Sequence, residues 1–314
     1  MRRTLLKPIL STQILIASCL AALAFALGQP ASAQSCTGRL VKHAMGTSCV
    51  PKVPKRVVVL DTGELDSALA LGVKPVGAVT PAGQPFQAYL GNLTQGIEVV
   101  GTVQQPSLER ILALRPDLIL TSKLRHGQLY DQLSRIAPTV MAETVGVVWK
   151  ENLLLAGEAL GRSAQAKVLL AQYERRAGQL RNRLGGRGRL PTVSILRFTP
   201  GQIRSMNRAN YIGTILADVG LPRPAFQSKD TFADYISLER LPDLDADYLF
   251  YATYGDPAQT DQAFVLASPL WKGLKAVQNG RAIAVSDDVW FLAIGVLGAN
   301  RVLDDLEKYL LAGK

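Results

Sequence analysis

One fifteen-residue pattern occurs twice in the chain, and this repetition limits the possible folds more than any other feature. Residues 107–121 read SLERILALRPDLILT, and residues 237–251 read SLERLPDLDADYLFY. In each copy, Ser and Glu at a helix start precede an Asp and an apolar run typical of a buried strand. Such a unit in each half predicts two related α/β lobes rather than a solenoid, whose repeats recur every few tens of residues. Glu109 and Glu239 then occupy equivalent positions on the two lobes.

The first 33 residues have the pattern of a secretory signal peptide, which directs export and is removed. Basic residues are followed by the apolar run ILIASCLAALAFALG and by a small-residue cleavage motif that ends at Ala33. A second cleavage position stays open, because residues 16–19 (IASC) resemble a lipoprotein box that would leave a lipid-modified Cys19. Apolar residues follow Cys19, whereas a lipid anchor is usually followed by a polar tether. We therefore expect cleavage after Ala33.

The mature chain keeps two cysteines, Cys36 and Cys49. Exported proteins mature in oxidising compartments, where cysteine pairs form disulfides. We therefore expect a disulfide that closes this short N-terminal loop, rather than two free thiols.

Basic residues outnumber acidic ones, and the formal net charge is +10. The leader contains three basic and no acidic residues, so the mature chain has 10 − 3 = +7. Its basic residues are scattered rather than clustered with aromatic residues, which argues against nucleic-acid binding. The excess of positive charge favours an acidic ligand or surface, and an ordinary solvated basic surface is the alternative.

Apolar runs alternate between strand and helix patterns in each half, as in mostly parallel sheets. We expect an N-terminal ribbon over residues 34–55, a Rossmann-like α/β lobe over 56–148 and a second one over 187–314. Residues 149–186 form a long helical pattern without Pro, which we interpret as one rigid spine helix between the lobes. Ligands bind beyond the carboxyl ends of strands in such sheets, here in a cleft between the lobes.

Motifs of catalysis are missing from the sequence. It contains no Walker loop, no GxSxG elbow and no GxGxxG after a strand. Only two histidines occur, His43 and His126, which excludes a multi-histidine metal site and leaves little for a Ser-His-Asp arrangement. We assign no catalytic residue and no protein metal site, and we expect a protein that is not an enzyme.

Four segments, together with the export signal, the repeat and the long helical pattern, resemble the periplasmic binding proteins of ABC importers for ferric siderophores. These segments are PKRVVVL (residues 54–60), VGTVQQPSLERILALRPDLILTS (100–122), LSRIAP (133–138) and PLW (269–271). The likeness covers nearly all of residues 52–311. Residues 122–126 (SKLRH) and the Val289-Trp290 loop resemble ferric citrate and ferric hydroxamate binders most closely.

The resemblance implies a periplasmic, monomeric clamp that holds a ferric siderophore between its lobes and passes it to an ABC permease and its ATPase at the inner membrane. The siderophore would coordinate the iron, so no cofactor of the protein itself is expected. In this family, one glutamate of each lobe docks onto arginines of the permease. Glu109 and Glu239 stand at the matching positions.

Seven residues near predicted strand ends are our candidates for contacts with the ligand. They are Arg125, Trp290, Trp149, Arg197, Arg204, His126 and Tyr254. For Arg125 the alternative is an ordinary surface arginine, and for Trp290 and Trp149 it is packing in the core or against the start of a helix. Hydroxamate binders of the family have an arginine where Val103 or Gln104 stands here. This difference favours a citrate-type or mixed citrate-hydroxamate siderophore.

Three alternatives stay open from the sequence. Heme or cobalamin could be the ligand of the same clamp fold. An exported enzyme on a similar α/β frame would need catalytic Asp or His residues in the cleft. A basic structural protein of the cell envelope would leave the two glutamates and Trp290 without roles.

Overall fold

A computed structural model of the chain describes residues 36–81, 85–185 and 188–311. The leader with Cys19 and Ala33 lies outside the described residues, as do residues 186, 187 and 312–314 of the expected spine and second lobe. Among the described residues there are twelve β-strands in one two-stranded and two five-stranded sheets. The strands are β1 (Arg39–His43), β2 (Gly46–Val50), β3 (Val57–Val59), β4 (Gly77–Thr80), β5 (Glu98–Thr102), β6 (Leu118–Ser122), β7 (Thr139–Ala142), β8 (Val193–Thr199), β9 (Gln202–Met206), β10 (Ala233–Ile236), β11 (Tyr248–Thr253) and β12 (Ala282–Ala284).

Among the described residues, α-helices connect these strands. They are α1 (Thr62–Ala70), α2 (Leu108–Ala113), α3 (Lys123–His126), α4 (Tyr130–Ile136), α5 (Trp149–Ala159), α6 (Ser163–Gly185), α7 (Tyr211–Val219), α8 (Gln262–Ala267), α9 (Pro269–Lys272), α10 (Lys275–Gln278) and α11 (Val296–Leu311). Short 3-10 helices cover Ala88–Thr94, Gly127–Leu129, Ala225–Gln227, Leu238–Leu244 and Pro257–Gln259, and a π-helix covers Asp288–Leu292.

Both large sheets have the same strand arrangement around a central strand. The N-terminal sheet has the order β5-β4-β3-β6-β7, and all its pairs are parallel. The C-terminal sheet has the order β10-β9-β8-β11-β12, in which β8, β11 and β12 are parallel and β9 and β10 are antiparallel to their neighbours. The expected fold class, two α/β lobes with mostly parallel sheets, is confirmed.

The aspartate of each repeat copy holds the start of the neighbouring central strand. The Asp117 carboxylate accepts hydrogen bonds from the backbone N–H groups of Lys55 and Arg56, just before β3. The Asp247 carboxylate accepts from the backbone N–H and the hydroxyl of Thr192, just before β8. The two copies therefore play the same part in both sheets, because each satisfies donors that the first residues of a strand leave unpaired.

The two copies differ in the helix that begins them. Ser107 caps α2 by accepting a hydrogen bond from the Arg110 backbone N–H at 3.3 Å. The second copy forms a 3-10 helix, Leu238–Leu244, which contains Pro242. Pro lacks the N–H that an α-helix would use, which accounts for the tighter and less regular turn.

The expected single spine helix over 149–186 is wrong in one respect, because the structure has two helices, α5 and α6, with a break between them. Gly161 lies at the break with φ +71°, the left-handed conformation that ends many helices. The Arg39 guanidinium donates to the carbonyl of Glu158 at 2.8 Å and to that of Lys52 at 2.9 Å. An arginine of β1 thus binds the carbonyls at the end of α5, and the helix stops there.

One hydrophobic core is shared by the two lobes. Val57 and Val59 of β3 face this central core, which also contains residues of α5, α6 and α11 and Ile195 of β8. Val58 faces a smaller cluster on the outer side of the N-terminal sheet, and Leu196 faces its counterpart in the other lobe. This alternation follows the two-residue period of a strand.

The expected N-terminal ribbon is present as the antiparallel pair β1-β2, with Arg39 opposite Val50 and His43 opposite Gly46. Cys36 and Cys49 are each disulfide-bonded in the structure. Among the described residues, none of the helices has the length and apolar character needed to cross a membrane.

Candidate functional site

A cavity of about 450 Å³ lies where the carboxyl ends of the central strands of both sheets meet. The chain continues from β3 to β4 on one side, whereas β6 lies on the other, and the same change of direction occurs at β8. Such switch points leave a crevice in which α/β proteins bind ligands. The cavity is lined by Asp61, Thr62, Pro81, Val103, Gln104, Leu124, Arg125, Thr144, Val145, Gly146, Val147, Arg197, Met206, Ala209, Asn210, Tyr211, Ile212, Phe232, Tyr254, Trp290, Phe291, Leu292 and Ile294.

The N-terminal wall of the cavity contains an ion pair between Arg125 and Asp61. Asp61 follows β3, and its Oδ1 atom accepts a hydrogen bond from the Thr62 backbone N–H at the start of α1. Its Oδ2 atom accepts from Arg125 Nε at 3.0 Å. The Arg125 side chain is 35% exposed, whereas that of Asp61 is 1% exposed. The buried carboxylate therefore holds an arginine whose remaining N–H donors can reach a ligand.

Glu64 lies one turn further along the chain, in α1. It is buried, and within the described residues its Oε2 atom has no hydrogen-bond partner. Burial, and after it the negative charge of Asp61, raises the pKa of Glu64 to about 8. At neutral pH the Glu64 side chain is therefore mostly protonated.

The C-terminal wall contains a second arginine with its own aspartate. Arg197 of β8 donates from Nε and Nη2 to the two carboxylate oxygens of Asp287, each at 2.6 Å. Its guanidinium also lies over the rings of Tyr254 and Phe291, at 5.0 and 4.8 Å from their centroids. Two hydrogen bonds and two aromatic faces fix this arginine, whose side chain is 10% exposed.

Apolar side chains form part of the cavity rim. Leu124, Val147 and Phe232 line the cavity and remain exposed, which is unusual for side chains of this size. The site thus combines two arginines on opposite walls with an apolar rim. Such a lining suits a ligand that has both anionic groups and an organic scaffold.

Four of the seven predicted ligand residues are brought together here: Arg125, Arg197, Tyr254 and Trp290. Trp290 borders the cavity, but its side chain is fully buried. Its ring stacks on Phe250 at 4.8 Å, and its Nε1 donates to Asp305 at 2.8 Å. The structure therefore places Trp290 behind the cavity wall, close to the core-packing alternative.

The other three predicted ligand residues do not line the cavity. Trp149 is fully buried in the core, with its Nε1 donating to Thr214 at 3.0 Å. His126 is buried between Thr121 and the Val103 carbonyl, at 2.6 and 2.8 Å, and burial lowers its pKa. This neutral imidazole links the Thr121 side chain of β6 to the Val103 carbonyl just after β5.

Arg204 also lies outside the cavity. It donates to the Gln202 side chain, and its guanidinium covers the Tyr235 ring at 5.5 Å. Arg204 of β9 stands directly opposite Arg197 of β8. The alternation of side chains along a strand therefore does not separate the two arginines. The sequence does not reveal which arginine of such a pair faces a ligand.

Several residues of the site are not among the seven predicted ones, and Asp287 and Phe232 are two examples. Asp287, the partner of Arg197, lies in a loop whose place at the sheet edge could be predicted, but not its contact. Phe232 lies in a polar loop between α7 and β10, and an aromatic residue among polar neighbours was the available signal.

The two repeat glutamates lie on the surface, away from the cavity lining. Glu109 is in the first turn of α2, and Glu239 is in the 3-10 helix of the second copy. A hydrogen bond from the Ser237 hydroxyl lowers the pKa of Glu239. Both side chains are therefore accessible from outside, as a docking role requires.

The comparison with known proteins identifies the family. A model of the periplasmic binding proteins matches residues 57–289. The chain belongs to the periplasmic binding protein family. Within this family it is 43% identical, over 289 residues, to the probable siderophore-binding lipoprotein YfiY of Bacillus subtilis, covering 88% of this chain and 89% of the relative. The achromobactin-binding periplasmic protein of Dickeya dadantii is 33% identical over 313 residues and 96% of each chain.

A solved structure supports the same assignment. The crystal structure of Staphylococcus aureus SirA complexed with staphyloferrin B superposes with a TM-score of 0.78 and 33% sequence identity, covering 87% of this chain and 98% of that chain. The resemblance inferred from the sequence motifs is confirmed. YfiY is described as a lipoprotein and the Dickeya dadantii relative as periplasmic, and both are described as binding proteins.

Within the described residues, no group of three or more His, Cys, Asp or Glu side chains is arranged to hold a metal ion.

Proposed function

We propose that this protein is an exported binding protein that captures a ferric siderophore in the cavity between its lobes and delivers it to an ABC permease for iron uptake. The observation that carries the proposal is the presence of two arginines, Arg125 and Arg197, on opposite walls of a cavity of about 450 Å³ whose rim is apolar. Arginine binds carboxylates through paired, charge-assisted hydrogen bonds. We therefore propose a siderophore of the citrate or mixed citrate-hydroxamate type.

In this proposal the siderophore supplies the iron ligands, and the protein contacts only the organic chelate. The relatives support this view, since YfiY is described as siderophore-binding and the SirA structure contains staphyloferrin B. They give no support to the heme or cobalamin alternative. They also favour a binding role over an enzymatic one.

The test is a fluorescence titration of the mature protein with ferric dicitrate, ferric schizokinen, ferric aerobactin, ferrichrome, a ferric catecholate, hemin and cobalamin. Trp290 borders the cavity, so we expect saturable quenching by one of the citrate-containing ferric chelates. Binding of hemin or cobalamin alone would overturn the choice of ligand. Binding of none of these compounds would overturn the proposed function.

We propose that Glu109 and Glu239 contact arginines of the permease when the siderophore is delivered. Replacing both by Ala should abolish iron uptake by whole cells and leave the siderophore dissociation constant unchanged, because neither glutamate lines the cavity. A weakened dissociation constant would contradict the docking role.

We propose that the chain is exported and cleaved after Ala33. Lipid anchoring at Cys19 is the alternative, because the relative YfiY is described as a lipoprotein. The intact mass of the purified protein distinguishes the two cleavage positions. The same non-reduced sample tests the Cys36–Cys49 pairing, because a disulfide makes the chain lighter by two hydrogen atoms.

A further inference from the structure

A second cavity, of about 310 Å³, opens on the surface of the C-terminal lobe. Its lining includes Ile203 of β9, Tyr235 of β10, Leu238, and Phe264 and Val265 of α8. Tyr235 and Phe264 are 66% and 68% exposed. Exposed aromatic side chains beside a surface cavity are typical of protein interaction sites. We call this cavity, lined by Tyr235, Leu238 and Phe264, the docking pocket.

The docking pocket is continuous with the repeat glutamate of the same lobe. Ser237 and Leu238 line it, and Glu239 is the next residue along the chain. The Ser237 hydroxyl also donates a hydrogen bond to the Glu239 carboxylate. Asp261 adds a second carboxylate to the lining. The pocket therefore has an apolar floor with acidic groups at its edge.

The basic side chain that lies against Tyr235 is already engaged. Arg204 lies over the face of the Tyr235 ring, at 5.5 Å from its centroid, and donates to the Gln202 side chain. It supports one face of this ring, while the ring remains largely exposed on the surface. A partner with a basic group would thus meet Glu239 and Asp261.

The N-terminal lobe has a related arrangement around its own repeat glutamate. Leu112 follows Glu109 by three residues on α2, on the same face of the helix, and is 58% exposed. Arg110 does not pair with Glu109, since it donates to the Val99 carbonyl at 3.1 Å. Each repeat glutamate is thus accompanied by an exposed apolar side chain.

We propose that the docking pocket receives an apolar side chain from a permease segment whose neighbouring basic residue pairs with Glu239. The inference rests on the proposed function, because it presupposes delivery to a permease. It goes beyond the glutamate contact by giving the partner segment a chemistry, a basic residue close to an aliphatic or aromatic one. Continuity with Glu239, the proposed permease contact, favours this occupant, and two copies of a chain whose net charge is positive repel each other overall.

The first experiment measures binding to right-side-out membrane vesicles from the source organism. The variant replaces Tyr235 and Phe264 by Ser, and the control replaces Val168 by Ser, an exposed apolar residue of α6. We expect the double variant to lose vesicle binding by tenfold or more, as for truncated interface hot spots, and the control to match the wild type. Both variants should bind the ferric chelate as the wild type does, because neither site lines the ligand cavity.

The outcomes separate the pocket from the proposed function. If the double variant binds vesicles like the wild type while the Glu109→Ala, Glu239→Ala variant does not, the pocket inference is wrong and delivery stands. If the wild type does not bind these vesicles, both the pocket and delivery to a permease fail, whereas siderophore capture is judged by the titration alone.

A photo-cross-linking amino acid at Phe264, with Val168 as the control position, identifies the occupant. We expect cross-links from position 264 to an ABC permease peptide that has Arg or Lys within three residues of an apolar side chain. Cross-links to a second copy of this chain, to an unrelated protein, or equally from position 168 would overturn the proposal.

Discussion

The two arginines of the ligand cavity differ in how firmly they are held. Arg197 and Asp287 are both largely buried, so breaking this pair would leave an uncompensated charge at a cost of about 3–5 kcal/mol. Arg125 makes one hydrogen bond to Asp61, and its side chain is 35% exposed. A ligand can therefore engage the exposed part of Arg125, whereas Arg197 is held by Asp287 and keeps only the N–H donors that this carboxylate leaves free.

Replacing Arg125 by Ala should weaken binding of the ferric chelate by 10- to 100-fold, about 1.5–3 kcal/mol for a charge-assisted contact. Fluorescence titration gives the dissociation constant, and thermal unfolding checks that the variant is folded, since Asp61 loses its cation. Arg204→Ala is the matched control and should leave the constant unchanged, because Arg204 lies outside the cavity. An unchanged constant for Arg125→Ala would remove this arginine from the binding site.

The buried carboxyl of Glu64 makes stability depend on pH. Its pKa is raised to about 8 in the folded protein from an ordinary value of 4.5, so the folded state binds more protons between these values. The free energy of unfolding should therefore fall as the pH rises from 4.5 to 8, by at most about 1.4 kcal/mol per pH unit from this group.

Glu64→Gln removes this ionisation, so its stability relative to the wild type should increase from pH 5 to pH 8. Urea unfolding at the two pH values measures the difference. A constant difference across this range would show that Glu64 is ionised throughout, and would contradict the environment described for it.

At the scale of whole elements, much of the fold could be predicted from the sequence, because the order of apolar runs determines the order of strands. The Asp of each repeat, followed by its strand, was a reliable signal for β6 and β11. The burial of Trp149 and Trp290 was not predictable, since a tryptophan at a strand or helix end can face a cavity or the core. Which of the two occurs depends on partners distant in the sequence, such as Thr214 and Asp305.

The break between α5 and α6 was missed for the same reason. A helical pattern without Pro gives no local signal to stop, and the residue that binds the last carbonyls of α5 is Arg39, more than a hundred residues earlier. Gly161 was the only local signal for the end of α5, because glycine often ends a helix in the left-handed conformation.

A pair of glycine substitutions tests this break. Gly161→Ala should destabilise the protein by about 1–2 kcal/mol, because φ is +71° and an added Cβ would lie 2.9 Å from the Lys52 carbonyl oxygen. Gly178→Ala, inside α6 with no atom close to an added Cβ, should stabilise it by about 0.5–1 kcal/mol. Chemical unfolding measures both. Stabilisation by both substitutions would instead indicate one continuous helix.

At the scale of the molecule, the lobes are joined by more than a linker. They share one hydrophobic core, and hydrogen bonds cross between them, from Gln87 Nε2 to the Leu292 carbonyl at 3.1 Å and from the Ala88 backbone N–H to Asp288 at 3.1 Å. Opening the cavity widely would expose part of this core to water, at about 25 cal/mol per Å² of apolar surface. We therefore infer that the lobes move little when the ligand enters.

Asp66 is the most buried of these connections. From α1 of the first lobe, its carboxylate accepts hydrogen bonds from the backbone N–H groups of Leu297 and Gly298, each at 2.9 Å, and from the Tyr89 hydroxyl at 2.7 Å. These N–H groups belong to the first turn of α11, which has no helical partners for them. Burial raises the pKa of Asp66 to about 6, so the group is mostly ionised at neutral pH.

Asp66→Asn should cost about 1–3 kcal/mol of stability at neutral pH, because one acceptor oxygen becomes an NH₂ group that faces other donors. If Asp66 ties the lobes together, the amides of Leu297 and Gly298 should exchange with deuterium faster in this variant, together with those of α1. Tyr89→Phe removes only the hydroxyl donor and should leave the Leu297 and Gly298 amides protected. Exchange that changes in α1 alone would mean that the start of α11 is held by the shared core, and that the contact to Asp66 contributes little to joining the lobes.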